Sequence, residues 1–337
     1  MDLFTTNYNL CDYNHLYFSN LKEDNRTINK SENRFYDNKD IKMLSTIIFF
    51  INKYVTIENK KVKILYINAL PDKHLVKLLL MYPFLYFDIY VNYELDKELV
   101  NNDKVNIYRK EFTIDDANLY KDNEEFDIYV ITDHKVDFHL RNETYNKEEF
   151  KIVKEKSYEE DMKNQYDFCK IIKPKAANLI FRPPKFINTV DINYSYFNGE
   201  IIATIFNSSF SNSSRLIINN LDGEYNWNEI YKWNLVVYTN KLNYYNNVVC
   251  KYLLKNPFTN DNTPLPNQIG NKFEYVILFM ILRDYFISIQ NPLPSLYDVL
   301  SLYTNFFIKE KLNERKYIFD NLDDENDSEK IKLISEF

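Results

Sequence analysis

The stretch from Val62 to His74, VKILYINALPDKH, has the pattern of the first strand, turn and helix of an α/β fold. Its first six residues, Val62–Ile67, are mostly apolar and include three β-branched side chains, which predicts a strand buried on both faces. Residues 68–72 (NALPD) predict a turn, and a helix is predicted over Lys73–Tyr82. In an open α/β sheet the turn after such a strand lies at the carboxyl edge, where ligands bind.

The predicted turn contains no glycine. A loop that binds a nucleotide or S-adenosylmethionine normally needs glycine, because the backbone must approach the ligand closely. The whole chain has only 3 glycines among 337 residues, whereas average glycine usage is about 7%. The abundance of Asn, Lys, Ile and Tyr is typical of an AT-rich genome. One missing glycine therefore does not by itself exclude a ligand at this turn.

The composition favours a protein of the cytoplasm. Hydrophobic residues make up 45% of the chain, which is ample for a core, and the net charge of −7 means that any RNA-binding surface must be local. The three cysteines, Cys11, Cys169 and Cys250, are widely spaced, which argues for a reducing compartment. Residues 1–10 lack the pattern of a signal peptide, and no apolar run reaches about 18 residues. We therefore expect a soluble, cytoplasmic protein that does not enter a membrane.

Strand and helix patterns alternate on both sides of the opening unit. The predicted strands are Tyr86–Asn92, Val105–Arg109, Phe126–Thr132 and Ala176–Arg182. The predicted helices are Ile41–Val55 (with Asp40 as N-cap), Asp115–Tyr120 and Ser157–Ile172. Ile201–Phe206 and Arg215–Asn219 are predicted to form an antiparallel pair at the end of the sheet. This order favours a Rossmann-like α/β sheet of seven strands with a terminal antiparallel hairpin.

The last third is predicted to be helical. Asn228–Leu254 is rich in tyrosine and predicts helix with a break near Thr239, and Asn271–Gln290 predicts a very apolar helix that serves as core or as a partner surface. A further helix is predicted over Ser295–Glu310, and Asn321–Glu329 is acidic. We therefore expect an arm (1–39), an α/β domain (40–220), a helical part packed on it (221–320) and an acidic tail (321–337).

Two residues, Asp133 and Lys42, are considered as catalytic or binding residues from their positions in the predicted strands and helices. Asp133 follows a predicted strand, where an α/β enzyme often keeps a catalytic carboxylate, although a turn cap explains it equally well. Lys42 lies near the start of a predicted helix, off its apolar stripe. Its position alone indicates a lysine on the solvated surface. His134 and His139 have no third ligand nearby, so we expect no metal site.

Five segments of the chain occur in the same order as in a known family. They are Ile41–Leu44, Leu65–His74, Tyr129–Asp133, Ile171–Pro174 with Leu179–Pro184, and Ser211–Leu216. Over nearly its full length the chain thereby resembles the poxvirus poly(A) polymerase small subunit, which is also the cap-specific mRNA 2′-O-methyltransferase. The resemblance implies a methyltransferase-type sheet.

The resemblance also implies where catalysis would take place. The family uses a Lys-Asp-Lys-Glu tetrad, whose second lysine acts as general base toward the ribose 2′-hydroxyl and needs a lowered pKa. The first lysine corresponds to Lys42 and the aspartate to Asp133. The general-base position holds Ile180, and the glutamate position holds Ser213. Isoleucine cannot take a proton, so the resemblance implies a catalytically degenerate member.

The implied cofactor site departs from the family as well. The family pattern after the first strand is Gly-x-x-Pro-Gly-x-His, and here its glycine positions hold Asn68 and Asp72. The acidic residue that would hold the ribose hydroxyls corresponds to Val91, which removes a strong acceptor. The matching positions are Tyr66, Pro71 and His74. We therefore expect that no S-adenosylmethionine is bound.

The candidate RNA-binding residues lie near the last strands of the predicted sheet. Phe186 and Phe210 correspond to aromatic residues around the cap, where stacking on methylated guanine is favoured, although both are also explained by ordinary packing. Arg182 and Arg215, together with Lys173, are candidates to stack on and neutralise single-stranded RNA.

Three functions follow from these observations. The first is a non-catalytic accessory subunit that binds a viral poly(A) polymerase catalytic subunit and RNA, as a heterodimer, and makes tail extension processive in the cytoplasm or the virion. The second is an active cap 2′-O-methyltransferase that has moved its base and uses S-adenosylmethionine. The third is an interaction protein that has lost both roles and assembles through residues 271–290.

Overall fold

The computed structural model describes residues 13–25, 39–56, 60–69, 74–91, 103–133, 147–183, 192–205, 214–249 and 272–288. Its helices are α1 (Lys39–Tyr54), α2 (His74–Met81), α3 (Ile114–Tyr120), α4 (Lys147–Ile172), α5 (Leu235–Tyr244) and α6 (Lys272–Ser288). Its strands are β1 (Lys61–Ile67), β2 (Tyr86–Tyr90), β3 (Val105–Tyr108), β4 (Phe126–Thr132), β5 (Ala176–Phe181), β6 (Asn193–Tyr196), β7 (Glu200–Ala203), β8 (Ser214–Asn219) and β9 (Tyr231–Asn234). Short 3₁₀ turns occur at Tyr13–His15 and Phe18–Asn20, and a π-helix at Tyr245–Val249.

Seven strands form one sheet in the order β3-β2-β1-β4-β5-β8-β7. Strands β1 to β5 are parallel, and β8 pairs antiparallel with both β5 and β7. The chain leaves β1 toward one side of the sheet and later returns to β4 on the other, so the topological switch point lies between β1 and β4. The Rossmann-like α/β fold, the seven strands and the terminal hairpin are confirmed.

Helices cover both faces of this sheet. Because side chains alternate along a strand, Thr132 and Asp133 lie on opposite faces. Thr132 bonds to Gln165 of α4, whereas the arginine that binds Asp133 also contacts Met43 of α1. Helix α1 packs against α2, and α3 packs against α4. The sheet is therefore the middle of three layers, as expected for parallel strands that read as continuous apolar runs.

Several helix boundaries differ from the sequence prediction. Helix α1 begins at Lys39, so Asp40 lies inside the helix and is not its N-cap. Helix α4 begins at Lys147, ten residues before the predicted start at Ser157, because its first turns are highly charged and carry a weak apolar period.

The segment after residue 228 differs most. Residues 231–234 form β9, which pairs with β6 to make a separate two-stranded sheet. Helix α5 then starts after Asn234, whose side chain accepts hydrogen bonds from the Val236 and Val237 amides. The helix runs through Thr239 without interruption, so the predicted break there is wrong. Local propensity could not show β9, since its partner β6 lies almost 40 residues earlier in the chain.

The chain divides into two compact units, residues 1–281 and 282–337. Among the described residues, no helix combines the length and the apolar character needed to cross a membrane. Several sequence predictions concern residues that lie outside the described ranges. These are Pro71, Asp72, Phe186, Phe210, Ser213, the helix over 295–310 and the acidic segment 321–329.

Candidate functional site

The candidate site lies at the carboxyl edge of the sheet, over the switch point between β1 and β4. Asp133 directly follows β4, and its backbone amide donates to the Ile67 carbonyl of β1 over 2.9 Å. Tyr66 lies on β1 on the same face of the sheet as Asp133, because Tyr66 pairs in register with Ile131. The fold therefore brings Tyr66 and Asp133 together, two of the residues expected to line the site.

The carboxylate of Asp133 is fully engaged inside the protein. Its Oδ2 accepts a short hydrogen bond from the Tyr66 hydroxyl, and its Oδ1 accepts from Arg215 Nη2 over 2.6 Å. Asp133 is only 2% exposed. Both oxygens are thus used by neighbouring side chains, in an environment where charge-assisted hydrogen bonds are strong.

Arg215 is an interior residue, although we expected it among the RNA-binding cations. It is the second residue of β8 and is 3% exposed. Besides Asp133, its guanidinium donates to the Thr132 carbonyl, and Nη2 lies 3.4 Å from Met43 Sδ. A guanidinium enclosed in this way compensates the buried aspartate and does not present its charge to an external polyanion.

Ile180 occupies the position that corresponds to the general base. It is 5% exposed and pairs with Arg215 across the antiparallel β5–β8 ladder, so the two side chains share a face. Its amide donates to Thr132 Oγ1 over 3.2 Å, and Thr132 Oγ1 donates to Gln165. The cation that donates to Asp133 is the Arg215 guanidinium, which does not deprotonate in proteins.

Lys42 lies in the first turn of α1, beside the site. It is half-buried, and its carbonyl accepts hydrogen bonds from Ser45 Oγ at 3.1 Å and Thr46 Oγ1 at 2.7 Å. The next residue, Met43, contacts Arg215. The structure thus brings Lys42, Asp133 and Ile180 to one region of the fold.

Asn68 keeps the backbone conformation that a glycine would adopt at the start of the turn. Its φ is +56°, in the left-handed region that asparagine tolerates better than most residues. Its Nδ2 donates to the Asp133 carbonyl over 3.3 Å. The asparagine therefore links the ends of β1 and β4 across the switch point, where a ligand of this fold would lie. His74 begins α2.

Val91, at the implied ribose position, is buried and apolar. It is 2% exposed, and its amide donates to the Tyr108 carbonyl over 3.0 Å. The nearest acid on β2 is Asp88, which lies on the opposite face of the sheet from Val91 by strand alternation. Asp88 accepts from Lys63, Asn106 and Tyr120, so it is committed to an internal network and does not replace the missing ribose acid.

Arg182 is the best-placed cation near this edge. It follows β5, and its guanidinium carbon lies 3.6 Å from the centre of the Tyr158 ring. Its Nη2 lies 3.6 Å from Glu155 Oε1, and its Nε is buried and has no hydrogen-bond partner among the described residues. The side chain is 17% exposed. Stacking on tyrosine holds the guanidinium plane in one orientation.

Sequence reasoning missed the partners that define the site. Neither Tyr158 nor Gln165 was a candidate, because each lies on the amphipathic helix α4 and looks like packing. The pairing of Arg215 with Asp133 depends on strands 82 residues apart, and no local pattern signals it. Within the described ranges, no group of three or more His, Cys, Asp or Glu side chains has metal-binding geometry.

Comparisons with known proteins identify the family of this chain. A search of curated protein sequences finds no match. A family model described as the poly A polymerase regulatory subunit matches residues 11–308, a range that includes the whole seven-stranded sheet and α6. Because the match covers most of the chain, the protein belongs to the poly A polymerase regulatory subunit family.

Proposed function

We propose that this chain is a non-catalytic, methyltransferase-like accessory subunit of a viral poly(A) polymerase. It binds the catalytic subunit as a heterodimer, binds single-stranded RNA, and makes 3′-end tailing processive in the cytoplasm. Membership of the family implies a catalytic poly(A) polymerase as partner. The loss of methyl transfer, the RNA contact, the viral origin and the location are the new parts of the proposal.

One observation supports the loss of methyl transfer most directly. Asp133 has both carboxylate oxygens engaged, by Tyr66 and by Arg215. A general-base lysine needs a neighbouring carboxylate and a position within reach of the 2′-hydroxyl, and the corresponding residue is the buried Ile180. We therefore propose that this edge stabilises the fold and does not activate a hydroxyl.

The cofactor part of the proposal has separate support. Asn68 spans the ends of β1 and β4 with its side chain, and Val91 brings no carboxylate to the ribose position. At position 91 the ribose of the cofactor would find no carboxylate, whose two oxygens accept hydrogen bonds from the ribose hydroxyls. At position 68 the cofactor would contact an asparagine side chain, where a glycine would leave space. We propose that S-adenosylmethionine does not bind.

The RNA part of the proposal depends on Arg182. Its guanidinium stacks on the Tyr158 ring while the side chain is 17% exposed, and Lys154 Nζ lies 5.9 Å from the centre of the same ring. Two cations arranged around one tyrosine suit a backbone phosphate next to a stacked base. Such a local basic surface is compatible with a net charge of −7.

A reconstituted tailing assay tests the function. The chain is co-expressed with a candidate catalytic subunit and purified as a complex, and extension of a short single-stranded RNA primer is followed with and without the chain. We expect longer tails per binding event when the chain is present. Unchanged tail lengths with a stably bound catalytic subunit would contradict the accessory role and favour a purely structural one.

Matched charge variants test the RNA contact. We expect Arg182→Ala to shorten tails and to weaken RNA binding in a salt-dependent manner. Lys61→Ala removes one positive charge at the opposite, amino-terminal edge of the sheet, where Lys61 pairs with the exposed Glu125, and should have no effect. Equal effects of both substitutions would mean that only overall charge matters.

Calorimetric titration with S-adenosylmethionine tests the cofactor site. We expect no heat of binding in the high-micromolar range and no transfer of labelled methyl groups to capped RNA. Micromolar affinity together with methyl transfer that Asp133→Ala abolishes would show an active cap 2′-O-methyltransferase instead.

A further inference from the structure

The N-terminal arm, defined here as residues 13–25, is fastened to two elements of the α/β unit. On the edge strand β7, the Ala203 amide donates to the Leu16 carbonyl over 2.8 Å, and Tyr17 forms an antiparallel bridge with Ile202. From α1, Lys53 Nζ lies 4.2 Å from the centre of the Tyr17 ring. The arm thus covers the otherwise open edge of the sheet, where unpaired backbone groups would be exposed.

The arm also packs against helix α5. The Phe18 ring stacks on Tyr238 at 5.5 Å between ring centres, with 29° between the planes. The Phe18 carbonyl accepts from Lys241 Nζ over 2.8 Å, and the Asp24 amide donates to the Asn240 carbonyl over 3.0 Å. These contacts attach the arm to α5 at Tyr238, Asn240 and Lys241.

The other end of Tyr238 reaches the strand pair that carries Arg215. Its hydroxyl lies 3.1 Å from Ser214 Oγ and 3.4 Å from the Phe181 carbonyl, and Ser214 Oγ also donates to that carbonyl over 3.1 Å. Burial raises the pKa of Tyr238 to about 12, so the hydroxyl keeps its proton near neutral pH. Phe181 and Ser214 form the last pair of the β5–β8 ladder at this edge.

We infer that the arm is a strap that positions Arg215 against Asp133 through Phe18, Tyr238 and the Phe181–Ser214 pair. The pair next to it in the ladder is Ile180 with Arg215. Strand ends open more readily than strand centres, and the Tyr238 hydroxyl closes this end with a buried three-oxygen cluster. Release of the arm therefore loosens the carboxyl end of β5 and the amino end of β8, which makes Tyr238 a positioning residue. This goes beyond the proposed function, because it concerns how the edge is held, whatever it binds.

Hydrogen exchange measured by mass spectrometry on the full chain tests the inference. Tyr238→Phe keeps the ring stack on Phe18 but removes the hydroxyl. We expect exchange in residues 214–219 to rise about 5-fold, the factor that corresponds to one net hydrogen bond. Phe18→Ala should raise exchange in the same residues although it changes a side chain on the arm. Exchange in β4, residues 126–132, should stay constant in both variants.

Tyr225→Phe is the matched control, since it removes another tyrosine hydroxyl whose hydrogen bond, to the Asn198 carbonyl at 2.6 Å, lies outside the strap. It should leave residues 214–219 unchanged. If Phe18→Ala fails to fold, Lys241→Met removes the tie to the Phe18 carbonyl while keeping both rings. The inference is overturned if the arm variants change exchange only within residues 13–25, or if every segment changes equally.

Discussion

Arg215 Nη2 lies 2.6 Å from Asp133 Oδ1, and the two side chains are only 4% and 2% exposed. Each has further buried partners, Tyr66 on the aspartate and the Thr132 carbonyl on the arginine. A buried pair of this kind costs desolvation energy, which is offset only when its remaining polar atoms are also bonded. The pair therefore fixes the carboxyl end of β4 to the amino end of β8, and each carboxylate oxygen of Asp133 accepts a hydrogen bond from a neighbouring side chain.

Breaking this pair on one side should strongly destabilise the protein. Arg215→Met leaves a buried carboxylate with Tyr66 as its remaining side-chain donor, and we expect a loss of about 3–5 kcal/mol. The double variant Asp133→Asn with Arg215→Met removes both charges and should recover part of the loss. Urea unfolding followed by circular dichroism measures both effects.

Lys61→Met serves as the control for that experiment, because the exposed pair of Lys61 with Glu125 should contribute little. A double variant that is less stable than Arg215→Met alone would show that the two residues do not act as a pair.

Introducing a lysine at position 180 should destabilise the protein in a pH-dependent way. Ile180→Lys places an ammonium in an apolar site beside the Arg215 guanidinium, so burial and like charge both lower the lysine pKa below about 10.4. A shift of three pKa units corresponds to about 4 kcal/mol. The unfolded state then holds the proton more tightly, so the penalty is full below the folded-state pKa and shrinks as the pH rises toward 10.

The comparison for that prediction is Ile180→Met, which keeps the volume and should cost less than about 1.5 kcal/mol at every pH. Thermal unfolding of both variants between pH 6 and 10 provides the measurement. A penalty for the lysine variant that does not change with pH would mean that packing, and not charge, is responsible.

Asn178 should be replaceable by an apolar residue with a gain in stability. It is fully buried in β5, and neither its Oδ1 nor its Nδ2 has a hydrogen-bond partner among the described residues. Because a buried amide without partners carries its full desolvation cost, we expect Asn178→Val to stabilise the protein by about 1 kcal/mol in urea unfolding.

The matched variant is Asn220→Val. Asn220 is also buried, but its side chain donates to the Pro174 carbonyl at 3.3 Å and accepts from the Tyr225 amide at 3.0 Å. Its loss should destabilise by about 1–3 kcal/mol. If Asn178→Val destabilises equally, a water or another partner satisfies Asn178 in solution.

The left-handed backbone at Asn68 separates two substitutions that otherwise remove the same side chain. Glycine adopts φ near +56° without strain, whereas the Cβ of alanine disfavours it. We expect Asn68→Ala to be less stable than Asn68→Gly by about 1 kcal/mol, although both lose the bond to the Asp133 carbonyl. Equal stability in thermal unfolding would contradict the observed backbone conformation.

Asp116 should make the start of α3 sensitive to acid. Burial raises the pKa of Asp116, but hydrogen bonds from Lys110 and Thr113 outweigh it and hold the pKa below its usual value. A lowered pKa in the folded state adds stability that is complete above the unfolded-state pKa and is lost as the pH falls through the folded-state pKa.

Asp116→Asn should therefore destabilise the protein by about 1 kcal/mol at pH 7, mainly through the capping box with Thr113. The contribution of Lys110 is small because that lysine is half-exposed. The difference from the wild-type chain should shrink as the pH falls below 4. A constant difference from pH 7 to pH 3 would assign the effect to packing.

Several elements could be predicted because their cause is local. Val62–Ile67 and Phe126–Thr132 are apolar runs of strand length, and Ile41–Val55 has a helical apolar period, so each appears in the structure within two residues of its predicted bounds. The terminal hairpin was predictable for the same reason. By contrast, β9 needs a partner that is distant in the chain, and the first turns of α4 have too weak an apolar period to signal a helix.

The sequence alone determined the order of strands and helices in the seven-stranded sheet and the absence of glycine at the opening turn, since these depend on residue type and spacing. The family resemblance implied a lysine at the position of Ile180. Only the tertiary structure decided what Asp133 and Arg215 do. Their side chains meet because the carboxyl end of β4 and the amino end of β8 lie at the same edge of the sheet, although the two residues are 82 positions apart in the chain. Because both side chains are buried, they form an ion pair that is closed to solvent. The tertiary structure also showed that Asn68, in the glycine-free turn, has a left-handed backbone conformation. Asparagine tolerates this conformation, which most residues avoid.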